Sequence, residues 1–217
     1  MRINVSSNIS TVARFLTDVE KKQIPFAASQ ALNDVAKKAA MVDLREKAKK
    51  VFAGGATRFT QTGFLYRKST KKNLTAEVFI EPKRGKYMKF QIDGGTRFPE
   101  RRKIMIPTNN TRLNKFGNIP RGTYARIIND KTKFFSGIPK GFAGEDNRGI
   151  WERYGRSKRY PSGKRIRKVA SYIDRAQYRP IYPFAETTSG VVFGRQDGFA
   201  LRFNVRLAAA LRSRKRK

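Results

Sequence analysis

The chain of 217 residues contains no cysteine and no histidine. Without cysteine there are no disulfides, no thiolate metal sites and no thiol nucleophile. Without histidine the commonest general base and the commonest metal ligand go together, which sets ordinary hydrolase and metalloenzyme chemistry aside. Acidic residues are scarce, 16 against 49 Lys and Arg. No apolar run approaches the roughly 20 residues of a membrane span. The opening MRINVSSNIS lacks the apolar core of a secretory signal. The expectation is a chain that stays soluble in the cell that makes it, with no membrane contact.

What remains is a protein with a core and a large surplus of charge. Hydrophobic residues make up 39% and aromatics 12%, enough to separate it from a disordered polycation. The formal charge is +33. Self-repulsion on that scale costs stability, so a polyanion or an acidic protein partner should offset it in the working state. The length suits a single domain, 1–217, carrying a long excursion.

The chain is organised around one amphipathic helix, predicted over 25–53. Pro25 suits a first turn, where its missing N–H would be unpaired anyway. Ala28, Leu32, Val35, Ala39 and Val42 recur at spacings of three and four, and Leu44, Ala48 and Val51 carry the stripe on, one face over. Gly54-Gly55 ends it, since glycine takes the left-handed conformation cheaply. A preceding helix, for which Ser7, Asn8 and Ser10 offer N-caps and which runs to about Lys22, is expected to fold back after a break at Lys21–Ile24.

Beyond Gly55 the periodicity changes. Leu74, Ala76, Val78 and Ile80 alternate with Thr75, Glu77 and Phe79, a strand that Arg58–Tyr66 can pair with. Lys86–Ile92 fits a helix because Gly94-Gly95 follows. Ile104–Ile106 reads as a strand stopped by Pro107. Thr108–Gly149, rich in Gly, Pro and Asn, reads as a long loop or β-excursion. Gly149–Arg153 returns to the sheet, with the single tryptophan, Trp151, in the core. Phe184–Leu211 reads as a second long helix, its first half weakened by Gly190, Gly194 and Gly198. Residues 212–217 form a basic tail.

Basic clusters recur along the chain: Arg67, Lys68, Lys71, Lys72; then Lys83, Arg84, Lys86, Lys89; then Arg97, Arg101, Arg102, Lys103. The densest is 153–168, with eight basic side chains and no acidic one: Arg153, Arg156, Lys158, Arg159, Lys164, Arg165, Arg167 and Lys168. Tyrosines at 154, 160, 172 and 178 interleave with or flank it. Phosphates need only positive charge within reach, and aromatics add stacking that tolerates any base. With the tail residues Arg212, Arg214, Lys215, Arg216 and Lys217, this segment is the candidate contact for nucleic acid or an acidic partner. Lys37, Lys38, Lys47 and Lys50 share their helix with Asp34, Asp43 and Glu46, where weak pairs form, and are read as solvating it. No helix-turn-helix, finger or RNA-binding signature appears.

Catalytic motifs are lacking. Glu81-Pro82-Lys83 has the acid–x–lysine end of some nuclease motifs, with Asp43 as a partner, but the proline interrupts the strand such a motif needs. Gly141-Phe-Ala-Gly144 has neither the lysine nor the Ser/Thr of a phosphate-binding loop. No catalytic residue, metal or cofactor is assigned.

The order of features nonetheless follows a pattern, although none of its short words is a chemical signature. Phe26-Ala-Ala-Ser-Gln-Ala-Leu-Asn33 is followed by Thr57-Arg-Phe-Thr60 and Asn73-Leu-Thr-Ala-Glu-Val78. Then come Tyr87-Met-Lys-Phe-Gln-Ile-Asp-Gly-Gly95 with Thr96-Arg97, Ile106-Pro107, Gly117-Asn-Ile-Pro120, Gly149-Ile-Trp-Glu-Arg153 and a C-terminal amphipathic helix. Across nearly the whole chain this resembles the minor tail protein Z and tail-completion family of tailed bacteriophages, which lies at the head–tail junction. The resemblance implies a virion structural protein, non-enzymatic and multi-copy. It would form a ring with other neck, portal or tail proteins near double-stranded DNA, after assembly in the host cytoplasm. It brings no catalytic residues with it, and Gly94, Gly95 and Trp151 map as structural positions. A neck channel with a basic lining would attract phosphate without reading bases.

The fold expected is α+β: two long helices, 25–53 and 184–212, over one face of a small, mostly antiparallel sheet from 57–107 and 134–174. Their crossing should bury Leu32, Val35, Val42, Phe203 and Leu207. The other functional class in play is a nucleic-acid-binding protein of packaging, chromosome or ribosomal type.

Overall fold

A computed structural model of the chain describes residues 16–17, 19–100, 103–155, 158, 165–194 and 198–214. The fold is α+β with antiparallel sheets. In chain order the elements are the long helix α1 (Val19–Val51), a short helix α2 (Arg58–Gln61), strands β1 (Phe64–Arg67) and β2 (Glu77–Ile80), and helix α3 (Pro82–Ile92). Strands β3 (Gly95–Arg97) and β4 (Ile104–Pro107), helix α4 (Thr123–Asn129) and strands β5 (Phe134–Gly137), β6 (Gly149–Tyr154), β7 (Arg165–Ile173) and β8 (Ala176–Tyr178) follow. Helices α5 (Phe184–Phe193) and α6 (Phe199–Arg214) close the chain. They form two compact units, one of 1–50, 56–85 and 182–217, the other of 51–55 and 86–181.

In the first unit α1 is continuous, and the break expected at Lys21–Ile24 is a π-helical turn, Val19–Gln23, that leads straight into the α-helical Ile24–Lys38. Pro25 sits just where the hydrogen-bond register changes, so its missing N–H interrupts nothing. The rest of the expected helix running to about Lys22 lies mostly outside the described residues. A second π turn, Ala39–Asp43, precedes Leu44–Val51. The extra residue in a π turn rotates the helix face. Val42, expected in the core, is therefore 44% exposed, while Leu44 is fully buried. This is the shift of one face seen in the apolar stripe. The helix stops at glycines with left-handed φ of 74° and 85°, and the Gly55 amide donates to the Phe52 carbonyl at 2.8 Å.

The buried side of α1 is mostly alanine: Ala27, Ala31, Ala36, Ala39, Ala40 and Ala48. Small side chains let α6 and the β1–β2 hairpin approach closely. Of the expected core residues Val35 is buried, whereas Leu32, Phe203 and Leu207 are half-buried. Val35 and Ala39 cluster with Val191, backed by Val78, Val192 and Phe199. The Asp34 carboxylate accepts from Arg206 of α6 at 2.6 Å. Tyr182 stacks on Phe64 at 5.6 Å and donates its hydroxyl to the Leu44 carbonyl at 2.7 Å. Burial raises its phenol well above the ordinary value.

The second long helix is two helices. Gly194 ends α5 in an extended conformation, and a Cβ at Gly198 would lie 2.2 Å from the Gly194 carbonyl oxygen. The break is tight enough to require glycine. The sheet partner of these helices is the two-stranded β1–β2 pair, registered Phe64↔Ile80 to Arg67↔Glu77. The single sheet expected from 57–107 and 134–174 is instead three separate sheets.

The second unit is built on the four-stranded antiparallel sheet β4-β7-β6-β5, beside a two-stranded β3–β8 pair. The 108–149 excursion contributes α4 and β5 to it. Phe134, Ile150, Val169 and Ala170 form the core on one sheet face, covered by Met105, Ile127 and Tyr172. Trp151 is buried on the opposite face, donates its indole N–H to the Asn147 carbonyl at 3.2 Å and meets Phe142. Between Ile150 and Trp151 the β6–β7 register shifts by one residue, making a β-bulge at Val169.

Candidate functional site

Strand β7 has two halves. From Arg165 to Lys168 exposed cations alternate with half-buried residues; from Val169 onward the strand enters the core. Cross-strand pairing sets Arg165 opposite Tyr154, Arg167 opposite Glu152 and Lys168 opposite Trp151. The structure thus gathers Arg153, Arg165, Arg167 and Lys168 on two adjacent strands.

Three of these cations also hold the unit together. Arg153 donates to the Lys131 and Thr132 carbonyls at 3.3 and 3.2 Å and lies over the Phe135 ring at 4.4 Å. Lys168 donates to the Asp146 carbonyl and sits above Trp151 at 5.7 Å. Arg167 makes two 2.7 Å contacts to Glu152, while Lys133 Nζ lies 2.9 Å from the other carboxylate oxygen. Glu152 is 7% exposed. Burial opposes its charged form, but the hydrogen bonds and charges of Lys133 and Arg167 prevail and hold the carboxyl below its usual range.

Arg165 and Lys158 are exposed and make no ion pair among the described residues. Arg212 is exposed near the end of α6, in the first unit. The backbone of Arg214 is helical; Arg156, Arg159, Lys164, Lys215, Arg216 and Lys217 lie outside the described residues. On α1, Lys38 lies 3.6 Å from Asp43. Asp34 is taken by Arg206 rather than by a lysine of its own helix.

Sequence reasoning did not foresee a cavity of about 610 Å³ in the second unit. Phe134, Glu152, Arg167 and Val169 form its sheet side, and Thr123, Arg126 and Ile127 of α4 form a wall. Residues 110–115 and Pro120 complete it. Four cations, Arg112, Lys115, Arg126 and Arg167, face a single carboxylate that is already paired. The available signal is that residues 112–129 hold four basic residues and no acid, but they are too dispersed to read as a cluster.

The loop wall is fixed by the bulge. There the Lys168 carbonyl accepts from the Thr108 hydroxyl at 2.6 Å and the Asn110 amide at 2.9 Å. The Val169 carbonyl accepts from the Thr108 amide at 3.0 Å and from the Thr111 hydroxyl. Further along, the Asn114 side chain accepts from the Phe116 and Asn118 amides, closing a turn. The Lys115 carbonyl packs so closely on Gly54 that a Cβ there would lie 2.0 Å from it.

Among the described residues no group of three or more acids is placed to hold a metal ion. None of their helices is long and apolar enough to cross a membrane. No family model, curated protein or solved structure matches the chain.

Proposed function

We propose that the protein is a non-enzymatic structural component of a bacteriophage virion, of the neck or tail-completion type. In this reading it forms a multi-copy ring at the head–tail junction around the DNA channel. Its partners are copies of itself, other neck, portal or tail proteins, and duplex DNA held without sequence preference.

The observation that carries the assembly reading is that α6 is apolar on two sides. Phe203, Leu207 and Ala210 are half-buried or buried, while Leu201, Val205, Ala208 and Ala209 form an exposed stripe. Val205 is 61% exposed, and Phe193 at the end of α5 is 83% exposed. A helix apolar on both sides fits burial between subunits. At +33 the chains repel one another, so closure of such a face needs phosphate or acidic neighbours to neutralise them. The test is the particle mass of the wild-type chain and of Val205→Asp, alone and with portal or tail components. A defined ring that Val205→Asp abolishes is expected; a monomer under every condition overturns the reading.

The exposed Arg165 and Lys158 with Tyr154 favour a second reading, a packaging or chromosome-associated protein that coats DNA without sequence preference. That protein would bind duplex alone, in proportion to its length. Neutralising Lys158 and Arg165 should then flatten the salt dependence by about one unit of slope for each phosphate released, equally for all sequences.

A further inference from the structure

We propose that the cavity of the second unit binds a phosphate ester of nucleotide size, with Arg112 and Arg126 on the phosphate and Phe134 and Ile127 against its body. The inference stands apart from the neck reading and does not need it.

Three observations converge. The volume, about 610 Å³, lies in the range of small-ligand sites, roughly 300–1,000 Å³. The charge is unbalanced in a particular way. Glu152, the one carboxylate in the lining, is occupied by Lys133 and Arg167, so it cannot answer the other cations. Arg112 and Arg126 make no ion pair among the described residues. Guanidinium groups are matched to phosphate oxygens, which they hold bidentately. Finally, the loop that carries Arg112 is set in place before any ligand arrives, fastened to the bulge carbonyls at one end and against Gly54 at the other. Such a wall presents its cations without a large ordering cost on binding. The apolar lining, Leu113, Ile127, Phe134 and Val169, leaves a phosphate alone as an incomplete occupant and suits one attached to a planar or apolar body.

The ester can come from a free mononucleotide or from the terminal phosphate of a nucleic-acid strand, and the two are separable. Calorimetric titration of the full chain with dAMP at physiological salt should show saturable binding, one per chain, with none for deoxyadenosine. Arg112→Ala and Arg126→Ala, both at exposed positions, should each weaken dAMP by about tenfold. The double variant Lys49→Ala/Lys50→Ala, which removes the same kind of charge in the first unit, should leave it unchanged. Displacement of dAMP by a 5′-phosphorylated oligonucleotide but not by its unphosphorylated twin would assign the strand terminus. Resistance to both would assign the free nucleotide. Absence of saturable dAMP binding, indifference to Arg112→Ala and Arg126→Ala, or an equal loss in the lysine variant would overturn the proposal, the last because bulk charge alone would explain it.

Discussion

In the first unit the buried positions of the long helix are mostly alanine. In the second a carboxylate lies buried on a sheet face with two cations upon it. The first is held chiefly by close approach of backbones, which needs no charge. The second is held by polar staples: Glu152 between Lys133 and Arg167, and the bulge carbonyls under Thr108, Asn110 and Thr111. In a chain so short of acid, a single carboxylate placed out of water organises more structure than several on the surface. The contrast also bears on function. The alanine-packed unit leaves a second apolar stripe outside, whereas the stapled unit leaves unanswered cations around a cavity.

The contrast can be broken at its strongest point first. Leu44→Ala removes the largest buried side chain of α1 and should destabilise the first unit by about 2–5 kcal/mol. The single tryptophan lies in the second unit, so the two can be followed separately. Far-UV dichroism at the helix band should shift its denaturant midpoint, while Trp151 fluorescence keeps its own. A common shift of both signals would show that the units unfold as one.

Glu152→Gln should act the other way, moving the tryptophan transition by about 1–2 kcal/mol, because its two cations are partly solvated. The pH dependence follows from the lowered carboxyl. Its stabilisation is complete above the ordinary value of 4.5 and is lost as pH falls through the folded value. Acid should therefore weaken the wild-type second unit more than the Glu152→Gln variant. The smallest effect belongs to Arg206→Ala, which breaks a half-exposed pair with Asp34 and should cost about 0.2–1 kcal/mol, declining with salt. A larger loss would mean that the first unit also depends on charge.

Much of the helical unit could be read from spacing. The stripe of α1, its glycine stop and the weakness at Gly190, Gly194 and Gly198 are local properties. Even the step between Val42 and Leu44 is visible as a displaced stripe, although the π turn that produces it is not. Helix α3 is signalled by the glycines that follow it, and Trp151 lies in the core as an aromatic in a returning strand should. The division into separate sheets is not readable, because alternation marks a strand without naming its partner. Nor is the cavity. Its lining comes from a loop, a short helix and three strands, and its shape depends on backbone carbonyls that no side-chain pattern records.

The bulge at Val169 has a further consequence, one of parity. A strand alternates strictly, so adding one residue changes which neighbours fall on odd and even places. Counted without interruption from the Ile150↔Ala170 pair, β7 would set Arg153 opposite Arg167 and give Glu152 to Lys168. Two like charges would then confront each other across the ladder, which is destabilising. With the extra residue, Arg167 falls to Glu152 and Arg153 to Ile166. Setting Val169 aside from the ladder thus fixes the pairing of its charged neighbours, and drawing it in as a regular pair would change the partner of every one of them.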